Sequence, residues 1–171
     1  AFNCPTIIIT PTITHAACYG LNGMASVTVS GGNPPLTYLW NNNSNSNSIT
    51  APAGVYSVVV TDANNCAESI QVTITQPPLL IASATAFAVT CEGLCNGVAS
   101  ASASGGTTPY TWLWNTGSNL QSIFNLCPGQ YAVTVIDSKG CIDDQTGITI
   151  GPGISVKPVI GGDTFICGDE T

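Results

Sequence analysis

Apolar side chains in this chain recur at every second position, in short runs set between glycine, proline, asparagine and serine. Ala25, Val27 and Val29 alternate with Ser and Thr, and Tyr56, Val58 and Val60 keep the same period. So do Ile70, Val72 and Ile74, then Tyr110, Trp112 and Trp114, then Tyr131, Val133 and Val135. A period of two puts the apolar members of a run on one face of a strand, so each run predicts a half-buried β-strand. Gly31-Gly32, Gly105-Gly106 and Pro128-Gly129 stand between runs and predict turns. The most apolar run, Leu79–Val89, is short and interrupted by Ser83 and Thr85, so it reads as a strand and not as a membrane span.

The runs occur twice in the same order. Gly31-Gly32 through Tyr38, Trp40 and Asn41 reads onto Gly105-Gly106 through Trp112, Trp114 and Asn115. Gly54-Val-Tyr56 through Asp62 and Cys66 reads onto Gly129-Gln-Tyr131 through Asp137 and Cys141, with one inserted residue between the two blocks. A repeat of this length predicts two copies of one module. Residues 15–78 form the first and residues 79–153 the second. Residues 1–14 are expected to be the tail strand of a preceding module, or a joining strand broken by Pro11, and residues 154–171 the start of a further domain. In the second copy Ala99, Ala101 and Ala103 take the places of Ala25, Val27 and Val29, and Trp112 in place of Tyr38 is consistent with bulk restored elsewhere.

A Trp on one strand and a Gly-x-Tyr-x-Val strand after a turn are marks of an immunoglobulin-like β-sandwich. The fold class expected is therefore all-β, with tandem sandwich modules. Trp40 and Trp114 are the expected core residues, and Tyr56 and Tyr131 the tyrosine-corner candidates. The ordered set of Gly pair, Tyr/Trp-x-Trp-Asn, Gly-x-Tyr-x-Val-x-Val-x-Asp and Cys resembles the SprB-type repeats of very long secreted surface adhesins of Bacteroidota-type bacteria. The resemblance covers about Cys18–Pro77 and Cys91–Pro152. It departs from the usual pattern in the Asn/Ser loop of the first copy and in two extra cysteines of the second. It implies immunoglobulin- or PKD-like modules used for extracellular adhesion or surface structure, and it transfers no catalytic or ligand residue.

Composition narrows the choice of partners. Only 6% of the 171 residues are charged, the net charge is −7, and two Lys are the only strong bases. Nucleic-acid binding needs clustered positive charge and is excluded on that ground. Modules this small have much surface for their core and often rely on covalent ties. The eight Cys contain no C-x-x-C pair, so disulfides in an oxidising, extracellular compartment are expected rather than zinc. Matching places in the repeat suggest Cys18 with Cys66 and Cys91 with Cys141. Cys95 and Cys127 occur only in the second copy and are expected to bond each other. Cys4 and Cys167 are then left for linkage outside the two modules, to further copies of the chain or to flanking repeats of one long chain.

The remaining candidates are weak. His15 is the only histidine, and no nucleophile elbow accompanies any Ser or Cys, so no enzyme and no cofactor is expected. Glu92 and Asp143-Asp144 are too few oxygens for a calcium site, and no metal is expected. Asp62 and Asp137 are expected to cap the turns before Cys66 and Cys141. Asn42-Asn-Ser44, in the polar loop Asn41–Ser48, is a candidate glycosylation sequon, the loop itself having no evident reason to be ordered. Leu39 and Leu113 should face outward and touch a neighbour. The function expected is a structural repeat segment of an extracellular surface adhesin or filament. The alternative is an accessory carbohydrate-binding region of a secreted hydrolase; surface glycans are candidate ligands under either.

Overall fold

The computed structural model describes residues 4–154. The chain divides into two compact units, Ala1–Pro78 and Leu79–Thr171, and each is a sandwich of two three-stranded antiparallel sheets. In the first unit, β1 (Ile7–Thr14), β2 (Gly23–Gly31) and β4 (Ser48–Ala51) form one sheet. The second sheet has β3 (Thr37–Trp40), β5 (Gly54–Thr61) and β6 (Ala67–Ile74), in the order β3-β5-β6. The second unit repeats this plan. One sheet holds β7 (Ile81–Phe87), β8 (Gly97–Ser104) and β10 (Ser122–Leu126); the other holds β9 (Thr111–Trp114), β11 (Gly129–Ile136) and β12 (Ile142–Ile150). The chain is all-β, in tandem immunoglobulin-like sandwich modules.

The alternating runs supply the two inner faces. In the first module Ala25, Val27, Trp40, Ile49, Val58, Val60, Val72 and Ile74 are buried together; in the second, Ala99, Ala101, Trp114, Ile123, Val133, Ile148 and Ile150. Each Trp is 1% exposed, and its indole N–H donates to a loop carbonyl 2.8 Å away, that of Ser46 for Trp40 and of Leu120 for Trp114. That bond removes the cost of burying the indole nitrogen. Tyr38 and Trp112 are partly buried against the same cores. The loop 41–48, expected to lack order, is fixed by the Trp40 bonds and by local ones. Ser44 N donates to Asn42 Oδ1, Ser46 N to Ser44 Oγ and Ser48 N to Ser46 Oγ.

Ile7–Thr14 is not the tail of another module. It pairs with β2 along its whole length, from Ile7 opposite Gly31 to Thr14 opposite Met24, and Ile7 is in the core. Pro11 does not break it, because β1 lies at the sheet edge, where a missing N–H costs no ladder bond. The first module therefore includes residues assigned to 1–14. The expected further domain at 154–171 lies outside the described residues, apart from Ile154.

The pairing registers also show that the second module carries three single-residue insertions. Cys95 is one, in the loop before β8. Asn125 is the second: Ser122–Leu126 shifts register against β8 between Ile123 and Leu126, and Asn125 has φ 57°. The third lies in β12 around Gly147, φ 70°, where the β11–β12 register shifts; the eight-residue β6 has no such shift. Each of the two strand insertions makes a β-bulge.

Candidate functional site

Cys66 is bonded to Cys4, with Cα atoms 5.7 Å apart, and not to Cys18. The reason is the placement of β1. Cys4 precedes this strand at the end of the module where Cys66 precedes β6. Cys18 follows it at the opposite end, where Ala16 N donates to Thr75 O and Gly20 N to Gln76 Oε1. Cys4 is thus an internal tie of the first module and not a link outward.

The expected Cys91–Cys141 bond fails for the same reason. Cys91 bridges Ile154 beyond the end of β12, while Cys141 precedes its start. The nine residues of β12 hold the two about 30 Å apart at about 3.3 Å per residue, far beyond disulfide reach. Cys95 is bonded to Cys127. Cys18, Cys91 and Cys141 are in disulfides as well, and no cysteine among the described residues is free. Cys167 lies outside the described residues.

Beside Cys66 and Cys141 sits the most polar construction in each module. Asp62 is buried; its Oδ1 accepts from Asn64 N at 2.8 Å and Cys66 N at 2.9 Å, and its Oδ2 from Asn33 N at 3.0 Å. Asp137 repeats the set with Lys139 N at 2.8 Å, Cys141 N at 2.9 Å and Thr107 N at 2.8 Å. One carboxylate thus caps its own turn and ties it to the Gly-Gly turn across the sandwich. The N–H of Asn33, above all, holds the Asp62 carboxyl below its ordinary range against the cost of burial. For Asp137 burial is the largest single influence and acts upward. The N–H groups of Cys141, Thr107, Lys139 and Gly140 together outweigh it, and that carboxyl is also lowered. The tie to the Gly-Gly turn has no local sequence signal, since the partners are about thirty residues apart.

The Gly-Gly turns have a steric requirement of their own. Gly31 and Gly105 have φ of 79° and 71°, and a Cβ on either would collide with the carbonyl oxygen of Thr6 or Leu79. Only glycine permits both the left-handed backbone and the close approach.

Tyr56 OH donates to Pro52 O and Tyr131 OH to Cys127 O, each at 3.0 Å and four residues back, with both rings partly buried against their cores. This is tyrosine-corner geometry. Asn41 and Asn115, which follow the core Trp in each copy, bond strands β5 and β11 through both amide atoms; the Trp-Asn repeat was the signal for them.

The remaining candidates are structural in their contacts. His15 Nδ1 accepts from Thr75 N at 3.1 Å. Asp143 accepts from Ala82 N and Asp144 from Thr134 Oγ1. These neighbours point to opposite faces of β12, so they do not converge on one ion. Among the described residues, no group of three His, Cys, Asp or Glu could hold a metal ion, and no helix is long and apolar enough to cross a membrane. Asn42 is exposed, its side-chain oxygen engaged by Ser44 N.

Leu39 and Leu113 do face outward, 53% and 51% exposed. Leu113 borders an open groove of about 300 Å³ with Thr134 and Asp144. Two other exposed residues were not singled out from the sequence. Phe87 is 67% and Phe124 62% exposed, both on the outer face of the β10-β8-β7 sheet. Their outward positions in alternating runs were the available signal.

The family model described as the SprB repeat matches residues 10–45 and 84–119, one segment in each module, running from the first strand through the loop after the core Trp. Among solved structures, the chain is similar to the C-terminal 282-residue fragment of intimin in complex with the translocated intimin receptor intimin-binding domain. There the identity is 16% over 85% of this chain and 64% of that one, with a TM-score of 0.49. It is also similar to the N-terminal eight Ig domains of Down syndrome cell adhesion molecule (16% identity, 86% and 24% coverage, TM-score 0.44). Murine CEACAM1b is a third (13% identity, 86% and 100% coverage, TM-score 0.37). The chain spans 64% of the intimin fragment's length. No curated protein sequence matches it.

Proposed function

We propose that this chain is a structural repeat segment of an extracellular bacterial surface adhesin or filament. The observation that carries the reading is the repetition of one sandwich plan, with a SprB-repeat segment and a disulfide of its own in each copy. The buried polar groups support it. Asp62, Asp137 and the indoles of Trp40 and Trp114 all serve turns or loops, which leaves the modules as scaffolds that present outer faces. Disulfides at this density belong to an oxidising compartment and help a small core withstand exposure.

The joint between neighbours is not Cys4, which is bonded inside the first module. A string of modules in one long chain, or of chains joined by other contacts, remains the architecture proposed. External protease applied to intact native cells tests the location. A polypeptide carrying these modules should be shaved from the surface while cytoplasmic markers survive, and it should migrate as a long species after reduction. Protection of the modules until the cells are lysed would overturn the reading; collapse to short subunits on reduction would replace the long-chain form by a disulfide-joined one.

A further inference from the structure

The outer face of the β10-β8-β7 sheet is lined with hydroxyls and ends in one aromatic row. Beyond Ile81 opposite Ser104, its outward positions pair as Ser83 with Ser102, then Thr85 with Ser100 and Ser122, then Phe87 with Val98. Exposed Phe124 stands in the bulge between the Ile123–Ala99 and Leu126–Gly97 pairs, beside that last row. Ser83 Oγ lies 2.8 Å from Ser102 Oγ, and Ser100 Oγ 2.8 Å from Ser122 Oγ. The two Phe positions are two strand spacings apart, about 10 Å.

The first module shows that the fold does not require these rings. In its matching row stand Thr14, Met24 and Thr50. The second module has also acquired a support for the row. The Asn125 bulge immediately follows Phe124, and the Cys95–Cys127 bond closes the same end of the sheet, one residue beyond Leu126. Two of the three insertions therefore lie at this row.

The chemistry selects the partner. None of the outward residues in these three rows is charged, so a charged polymer finds no counter-charge there. A wholly apolar partner would shut solvent away from the Thr85 hydroxyl and leave Ser100 and Ser122 with little beyond their mutual bond, which is costly. A sugar polymer offers C–H faces to stack on exposed aromatic rings and hydroxyls to bond with an adjacent Ser/Thr row. We infer that Phe87, Val98 and Phe124, with Thr85, Ser100 and Ser122 beside them, form a site for an uncharged polysaccharide chain, present in the second module and absent from the first. The site does not depend on how the chain is assembled into a larger structure.

The test uses the purified chain and the double variant F87T/F124T, which restores the first module's threonines at solvent-exposed positions. Pull-down on cellulose and on chitin, and electrophoresis through gels containing laminarin, dextran or the anionic polymer alginate, are the readouts. At least one neutral polymer should retain the wild type and alginate should not. The double variant should lose roughly tenfold or more in affinity, the scale of losing one or two aromatic contacts, with unchanged thermal unfolding. S100A/S122A should weaken binding without abolishing it. Four outcomes would overturn the site: no retention on any neutral polymer, equal retention of F87T/F124T, equal retardation by alginate, or concentration-dependent self-association that the double variant abolishes. The last would make the row a contact between copies of the chain.

Discussion

In the first module Leu39, Val55 and Val59 stand on the outer face of the β3-β5-β6 sheet. In the second the same places hold Leu113, Gln130 and Thr134, and the other sheet carries exposed Phe87 and Phe124 where the first module has Thr14 and Thr50. Inside, the two modules differ far less. Trp40 and Trp114, Val58 and Val133, Val60 and Val135, and Asp62 and Asp137 keep the same partners. Interiors pack closely and resist change, whereas outward positions leave strand pairing untouched. What the modules conserve is therefore the device that closes a small sandwich, and what they vary is the face offered to a neighbour or ligand.

That comparison is most directly broken at the tryptophans. Trp40→Ala and Trp114→Ala should each cost about 3–5 kcal/mol in the module that carries them, from lost burial and the cavity left behind. Denaturant unfolding followed by circular dichroism should show one module destabilised and the other unmoved; fluorescence alone would miss the first module in Trp40→Ala, because Trp112 and Trp114 both lie in the second. Unequal costs would mean that the second core, with Ala99 and Ala101 opposite its Trp, collapses around the gap more readily than the first.

The disulfides come next, and they sharpen the difference between modules. The Cys4–Cys66 bond closes a separation of 62 residues and Cys95–Cys127 one of 32. Chain entropy then assigns about 4 kcal/mol to the first and slightly less to the second. C4A/C66A should act on the first module alone and C95A/C127A on the second alone. Peptide mapping without reduction should recover both linkages; a Cys18–Cys66 peptide would contradict the fold at β1.

Smaller effects belong to the corners. Tyr56→Phe and Tyr131→Phe should each cost about 1 kcal/mol, the net worth of one hydrogen bond. Chemical denaturation would detect it, and no loss in either module would show that the hydroxyls are equally well served by water. Asp62 and Asp137 add a dependence on pH that vanishes at neutrality. Both carboxyls are lowered in the folded state, so the stability they contribute is complete above the ordinary carboxylate range and is lost as pH falls through their folded values. Asp62→Asn should flatten the acid arm of the first module's unfolding profile only. An unchanged arm would place the acid sensitivity elsewhere.

Much of the fold was legible in the chain. The period of two gave the strands, because a strand must alternate its faces whatever it pairs with. The repeat gave the modules, because equal texts fold by equal rules. The capping role of Asp62 and Asp137 was legible from spacing, since an Asx turn is local. The Asp62–Asn33 and Asp137–Thr107 ties were not, because residues about thirty apart meet only once the sheets have stacked. The Pro11 run was misread for a related reason: a proline interrupts a central strand but not an edge, and sequence does not state which strand is the edge.

Sequence by itself determined which side chains lie inside, where the turns need glycine, and that two like modules follow one another. Those are decided by side-chain chemistry and backbone sterics within a few residues. Tertiary structure alone decided which cysteines meet, because a disulfide depends on which ends of two strands fall together, and a sulfur carries no label of its partner. It also decided that the inserted Asn125 would be taken up as a bulge, which returns Leu126 to the core opposite Gly97 and leaves Phe124 exposed beside it. A bulge changes nothing in composition, but it fixes which residues share a row, and rows across a sheet are what a ligand touches.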